Sequence, residues 1–322
     1  MTANLPLLSK LLAKTRIVGI DIGARGGFST DLAPIAPAVE AIGFEPEQEE
    51  CERLNAQART DSAGFRSLRY VPTAVGRADE QRTLNIYRAR GCTSLLTADT
   101  DFAKLFARED YFILDGQVDV AVERLDDAAE RFGFPDVDYM KIDIQGAELE
   151  AMQSAPKLVG KALLCIRSEV EFAPLYKDQP VFADVDAELR SKGFMLARFP
   201  QMHAWRRGTR VRNDRRAPGP APLSEGQLIH GDVLYFRRPE TMSNATEADQ
   251  DRFIRLGLLA FAYGHLDLTA ALFAMEPVAK RISGIAGVSA LALATELGAW
   301  HAKRRKSEMR SEATSLLRDL LG

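Results

Sequence analysis

A buried strand that runs straight into a glycine-rich turn constrains this chain more than any other feature. Ile17-Val18-Gly19-Ile20-Asp21-Ile22 is followed at once by Gly23-Ala24-Arg25-Gly26-Gly27. A second apolar run, Ala41-Ile42-Gly43-Phe44, ends in Glu45, 22 residues after Gly23. Glycine lets backbone come close to a ligand because no Cβ stands in the way. A carboxylate at the tip of the next strand can accept both hydroxyls of a ribose. Strand, turn and acid at this spacing describe a nucleoside crevice at the carboxyl edge of a parallel sheet.

The turn also discriminates between ligands. A dinucleotide fold carries G-x-G-x-x-G and faces a pyrophosphate. Here Asp21 replaces the first glycine, giving D-x-G-x-x-G. A carboxylate repels phosphate and suits a cation that carries an amino group, such as S-adenosylmethionine (SAM). Asp21 and the loop N–H groups are expected to hold its amino-acid end and Glu45 its ribose. A nicotinamide dinucleotide is the rival ligand, and a ligand-free strand-and-turn has the same local sequence.

Apolar strands alternate with helical stretches as far as about residue 199, which predicts an α/β fold. The sheet is expected to be doubly wound and mostly parallel, Rossmann-like, and covered on both faces. Expected strands are Arg16–Asp21, Val39–Glu45, Ser67–Gly76, Val137–Asp143 and Ala162–Val170. Phe194–Phe199 and Ile229–Phe236 read as a closing pair that includes an antiparallel strand. Arg82–Tyr87 and Val118–Arg124 alternate apolar with polar residues and read as antiparallel strands. Residues 1–14 read as a packing helix with no secretory cleavage site. After Thr246 the strands stop, and Phe253–Tyr263, Leu266–Met275 and Ala286–His301 carry helical spacing. The expected division is a domain over 1–240 and a C-terminal α-helical appendage over 245–322.

Composition narrows the class. The net charge of −3 gives no reason to expect a nucleic-acid partner. The three cysteines, Cys51, Cys92 and Cys165, form no C-x-x-C pair, which fits a reducing, cytoplasmic setting. No stretch of 18 apolar residues exists, so no membrane span is expected. The apolar stripes of the last helices make a homodimer through them plausible.

The sharpest string is Val137-Asp138-Tyr139-Met140-Lys141-Ile142-Asp143-Ile144-Gln145-Gly146-Ala147-Glu148, a strand ending in an acid, a turn and a helix. Ile166-Arg167-Ser168-Glu169-Val170-Glu171 offers a second acid at the same edge. Together with D-I-G-A-R-G, G-F-E-P, A-V-G, G-C-T-S-L, the Leu125-Asp126 pair, S-E-V-E-F-A-P-L-Y and L-R-S-K-G-F, these resemble the FkbM-type SAM-dependent methyltransferases. The resemblance spans about Arg16 to Phe199. It implies a class I methyltransferase sheet and O-methylation of a hydroxyl on a sugar, glycan or secondary metabolite. It is silent about the C-terminal helices.

Under that resemblance, Asp21, Gly23, Ala24 and Gly26 line the methionine end of SAM. Glu45 binds the ribose, Pro46 shapes the adenine pocket, Ala74 and Val75 flank the adenine, and Ser94 lies near the cofactor. Buried strand accounts equally for Ala74 and Val75, and a helix N-cap for Ser94. An alcohol has to lose a proton as it is methylated, so a base or a metal is required. Asp143 and Glu169 are placed to hold a magnesium ion (Mg2+). Asp143, Glu169 or His203 is the alternative as a direct base. A third reading has Asp143 capping the following helix and Glu148 paired with Lys141. His230, within a strand, reads as structural.

Arg206, Arg207, Arg210, Arg212, Arg215 and Arg216 fall in eleven residues. They suggest a lid for an anionic or carrier-linked hydroxyl substrate, with a solvated loop as the plain alternative. The competing functions are an N-methyltransferase, and a non-catalytic nucleoside-binding protein that recruits a partner.

Overall fold

The computed structural model describes residues 5–134, 136–208 and 225–321, with side chains through 306. The chain opens with helix α1 (Pro6–Leu12), which buries Leu8, Leu11 and Leu12. Strands β1 (Ile17–Ile22), β2 (Val39–Phe44) and β3 (Ser67–Val71) follow, with helix α2 (Gln48–Thr60) between the last two. Pro34 and Pro37 lack the N–H that an α-helix interior needs, and the chain from Thr30 to Ala38 forms 3-10 turns.

The stretch 67–76, expected as one strand, is two. Pro72 cannot donate to a ladder, and Thr73 N bonds back to Val71 O at 3.0 Å. The chain leaves the main sheet there. Strand β4 (Ala74–Gly76) joins β5 (Glu80–Tyr87) and β6 (Leu114–Arg124) in a separate sheet of order β4-β6-β5. β5 and β6 are antiparallel, as their alternation predicts. Helix α3 (Thr100–Lys104) sits in the connection between them.

Next come helix α4 (Leu125–Arg131), β7 (Tyr139–Ile142), α5 (Glu148–Gln153), β8 (Cys165–Glu171), α6 (Phe182–Ser191), β9 (Phe194–Trp205) and β10 (Gln227–Arg237). The main sheet has the order β3-β2-β1-β7-β8-β10-β9. β3, β2, β1, β7 and β8 pair in parallel, and β10 is antiparallel to both β8 and β9. The expected doubly wound sheet with an antiparallel closing strand is present. Chain order reverses between β1 and β7, and a crevice opens at the carboxyl ends of those two strands.

One face of the sheet carries Val18, Ile20, Ile22, Met140, Ile142, Ile166 and Val233, packed under α4, α5 and α6. The other carries Ile17, Val39, Tyr139, Cys165 and Phe236. It is covered by α1, α2 and helices α7 (Glu247–Ala262), α8 (Leu266–Ala274), α9 (Glu276–Ala286) and α10 (Ala290–Leu321). The C-terminal helices therefore share one continuous apolar core with the sheet. Residue 240 marks a change of composition, not a break in packing. The stripes that suggested a homodimer are largely used within the chain: Phe253, Leu256, Leu259, Phe273 and Ile282 are all buried. Helix α9 falls between two of the expected helical stretches; Pro277 stands in its first turn, where proline is tolerated. No single helix among the described residues is long and apolar enough to cross a membrane.

Candidate active site

Asp21 is the next-to-last residue of β1 and only 1% exposed. Its Oδ2 accepts from Ser29 N at 2.8 Å, which pulls the glycine turn closed, and its Oδ1 lies 3.3 Å from Lys141 Nζ. Burial pushes its pKa up to about 6, against the pull of Lys141 and the Ser29 N–H. The ammonium of Lys141 thus stands where the amino group of a ligand was expected. Gly23 N and Ala24 N both donate to Phe44 O, and Gly26 N to Glu50 Oε1. The turn's N–H groups are mostly spent inside the protein, contrary to the expectation that they would hold a ligand. What the turn offers is close approach: Gly26 and Gly27 have positive φ, and a Cβ added at Gly26 would meet nothing within 4 Å.

Glu45 follows β2 and is buried, with Oε1 accepting from Glu47 N at 2.9 Å; burial raises its pKa. Pro46 beside it is half-buried. Ala74 and Val75 are buried in β4. Ser94 is neither open to solvent nor a helix cap. Its Oγ donates to Gln145 O at 2.6 Å and accepts from Leu96 N at 2.9 Å.

Across the switch point the chain turns sharply after β7. Gln145 has φ 57°, a conformation rare outside glycine, and Gly146 has φ 105°. The strain aims the Gln145 side chain inward. Its Nε2 donates to Asp143 Oδ1 at 2.9 Å and, in a very short contact, to Glu169 Oε2; its Oε1 accepts from Tyr176 OH at 3.1 Å. Asp143 also lies 3.7 Å from Lys141 Nζ. It does not cap α5, whose N-cap is Ala147. Glu148 does not pair with Lys141 either: it accepts from Ile144 N at 2.8 Å and Gly146 N at 2.9 Å, and so fixes the turn.

Glu169 reaches the same point from β8. Its Oε1 is 3.1 Å from His230 Nδ1. His203, named from sequence as an alternative base, lies within β9 opposite His230, and the two rings stack at 4.6 Å. His230 contacts the acid, and His203 backs it. Burial, then the charges of Asp143, Glu171 and Glu148, raise the Glu169 pKa well above the carboxylate range. Burial pushes Glu148 up to about 7. Burial and His203 lower the pKa of His230.

Asp143, Glu148 and Glu169 can each offer an oxygen within 4.8 Å of the others. That set does not fit a magnesium ion. The Gln145 amide nitrogen already bridges Asp143 and Glu169, both Glu148 oxygens accept backbone N–H groups, and the Lys141 ammonium stands by. Hard divalent ions need free oxygens around them.

Sequence reasoning gave Gln145 and Tyr176 no role, read His230 as structural, and knew Lys141 and Glu148 only as a pair with each other. Lys141, Gln145 and Glu148 lie within the K-I-D-I-Q-G-A-E string, which marked the place without giving these three side chains the partners they have. An aromatic cluster of Tyr87, Phe112, Tyr176, Phe106 and Trp205 covers this end of the site. Arg207 lies over the Phe106 ring at 5.5 Å. Arg210, Arg212, Arg215 and Arg216 lie outside the described residues.

The model of the methyltransferase FkbM domain matches residues 21–196, more than half of the chain. Among solved structures, the chain is similar to methyltransferase FkbM from Methylobacillus flagellatus KT, at 15% identity and TM-score 0.35. That match covers 69% of this chain but 44% of the other, so this chain spans less than half of that relative. It is also similar to a magnesium protoporphyrin IX methyltransferase from Synechocystis PCC 6803, solved with SAM bound. There the identity is 14% and the TM-score 0.33, over 72% of this chain and 77% of that one. A precorrin-6y C5,15-methyltransferase from Geobacter metallireducens GS-15 matches at 14% identity and TM-score 0.31, over 72% and 86%. No curated protein sequence matches significantly.

Proposed function

Because this chain belongs to the FkbM methyltransferase family, we propose that it moves the methyl group of SAM to a hydroxyl of a sugar, glycan or secondary metabolite. The observation that carries the hydroxyl assignment is the contact of Glu169 Oε1 with His230 Nδ1 at 3.1 Å, beside Asp143 at the switch point. An amine acceptor can present its lone pair unaided, whereas an alcohol needs a proton acceptor in reach.

When bound, SAM brings a methyl carbon already activated by its sulfonium. The rest falls to side chains. Glu45 accepts from the ribose hydroxyls, beside Pro46. Gly23, Ala24 and Gly26 allow the methionine end close to backbone, on a turn that Asp21 holds through Ser29. Ala74 and Val75 back the adenine, and Ser94 acts through the Gln145 turn. Gln145 fixes Asp143 and Glu169 against each other, and Tyr176 fixes Gln145. Glu169 with His230 takes the proton from the acceptor oxygen, and a raised pKa makes the ionised carboxylate a stronger base than usual. The aromatic cover keeps water from the methyl group. No metal takes part in this scheme.

The test is mass spectrometry of small molecules and glycans from cells with and without the protein, followed by transfer of isotopically labelled methyl to the fraction that differs. A gain of one methyl group on oxygen is expected. Methylation on nitrogen would overturn the hydroxyl assignment. SAM binding without any transfer would favour the non-catalytic reading.

A further inference from the structure

Asp143 and Glu169 are held as a matched pair with unlike neighbours. One amide nitrogen, Gln145 Nε2, donates to Asp143 Oδ1 at 2.9 Å and to Glu169 Oε2. The outer oxygens differ. Asp143 Oδ2 faces the Lys141 ammonium at 3.7 Å, and Glu169 Oε1 faces His230 Nδ1 at 3.1 Å. Burial works against the charge on Lys141, but Asp21 and Asp143 outweigh it and raise its pKa. Burial and His203 hold His230 toward its neutral form; Asp143 and Asp232 oppose this without reversing it. One acid therefore has a cation beside it, and the other an uncharged ring. Solvent adds to the difference: the Asp143 side chain is 35% exposed and that of Glu169 13%.

The other charged groups around the pair leave this asymmetry in place. Arg167, the neighbour of Lys141 in register on β8, is turned to Asp31 and Asp232. Asp21, from β1, shares the Lys141 ammonium at 3.3 Å. Burial, the charge of Asp143, then those of Glu171 and Glu148 favour a proton on Glu169, and its hydrogen bond with Asp143 adds to them. Tyr176, beyond Gln145, is kept protonated by burial. Two carboxyls this close do not ionise independently, so a charge fixed on one decides what the other does. We propose that Lys141 is a positioning residue for the pair: it keeps the negative charge on Asp143, so that Glu169 is the carboxyl that takes up a proton. The sequence offers both acids as the base, and Lys141 selects between them. That the proton comes from the methyl acceptor rests on the function proposed above; the division of charge between the two acids does not.

Carbon-13 NMR of the full chain, labelled at the side-chain carboxyls of Asp and Glu, tests this without the acceptor. Asp143→Asn and Glu169→Gln assign the two signals. As pH is lowered, Glu169 is expected to take its proton first while Asp143 remains a carboxylate. In Lys141→Met, at the pH where Glu169 is half protonated, the protonated fraction of Asp143 should rise by roughly tenfold or more, the least that an opposite charge at this range is worth. Lys141→Arg keeps a cation and should restore the wild-type order. A lysine that only filled space would leave the proton where it was. Uptake by Asp143 first in the wild-type chain, an unchanged order in folded Lys141→Met, or Lys141→Arg behaving as Lys141→Met would overturn the proposal. If Lys141→Met does not fold, the wild-type order decides alone. Full methyl transfer by Glu169→Gln would remove the base and leave this division of charge standing, so the two can fail independently.

Discussion

Gly23 and Asp143 meet backbone to backbone. A Cβ built on Gly23 would sit 2.0 Å from the Asp143 carbonyl oxygen, and Gly23 has φ +84°. Asp143 N in turn donates to Ile22 O at 3.0 Å. The glycine turn after β1 and the acid-bearing turn after β7 therefore move as one piece. Gly23→Ala has to push them apart and force a side chain into a left-handed conformation, at a cost on the order of 1–3 kcal/mol for the backbone alone. The expected outcome is a lower melting temperature together with a marked loss of S-adenosylhomocysteine affinity by calorimetry. Wild-type affinity in this variant would mean that the two turns are independent.

Glu169 and His230 are proposed to handle the proton and not to hold the cofactor. Glu169→Gln and His230→Phe should each lower turnover by roughly 10²–10⁴-fold, the usual worth of a positioned base. Affinity for S-adenosylhomocysteine should stay near wild type in both. His203→Phe keeps a ring stacked on His230 and should cost far less. Full activity in EDTA is expected throughout, because Gln145 occupies the place between Asp143 and Glu169 that a bridging ion would need. Loss of activity in chelator, restored by magnesium, would sink the metal-free scheme.

Much of this was legible in the chain, for identifiable reasons. Continuous apolar runs such as Ile17–Ile22 announce strands buried on both faces, and a glycine turn after one of them locates the edge where ligands bind. The strand tips pointed to Asp143 and Glu169. What stayed hidden depends on contacts distant in sequence. Lys141 meets Asp21 across 120 positions, and His230 meets Glu169 across 61. No local spacing encodes either pairing. His230 read as structural because it lies in a strand; that it faces Glu169 follows from the antiparallel register of β10 against β8. What the C-terminal helices pack against was hidden for a similar reason. An amphipathic stripe shows that a helix must bury one side, and says nothing about what it buries that side against.

Tyr263, just past the end of α7, ties that cover to the glycine turn after β1. Its hydroxyl donates to Asp31 Oδ2 at 2.9 Å and lies 2.7 Å from Tyr139 OH. Asp31 also pairs with Arg167, and its N–H donates to Ser29 Oγ at 3.3 Å, two residues from the end of the glycine turn. Tyr263→Phe should cost about 1 kcal/mol of stability, the worth of one such hydrogen bond. It should also weaken S-adenosylhomocysteine binding, although residue 263 lies far along the chain from the motif. A fall in melting temperature with no change in affinity would reduce the C-terminal helices to packing alone.

The acid cluster sets a pH dependence with a definite sign. Burial pushes Asp21 up to about 6 and Glu148 up to about 7, from ordinary values of 3.8 and 4.5, and holds Glu169 and Glu171 well above 4.5. Between the ordinary and the raised value, the folded protein keeps a proton that the unfolded chain has released. The stabilisation is complete below the ordinary value and is lost as pH rises through the raised one. His230, lowered from 6.5, opposes this trend below that value, so the effect is cleanest above it. The melting temperature should fall as pH rises from about 6.5 through the Glu148 value near 7 and beyond. A cation placed beside these acids favours their ionised forms, so SAM binding near neutral pH should release protons. S-adenosylhomocysteine, which lacks the sulfonium charge, should release fewer. Calorimetry in buffers of different ionisation enthalpy counts those protons directly. Equal release by the two ligands would place the sulfonium away from Glu169 and remove the basis for the proposed base.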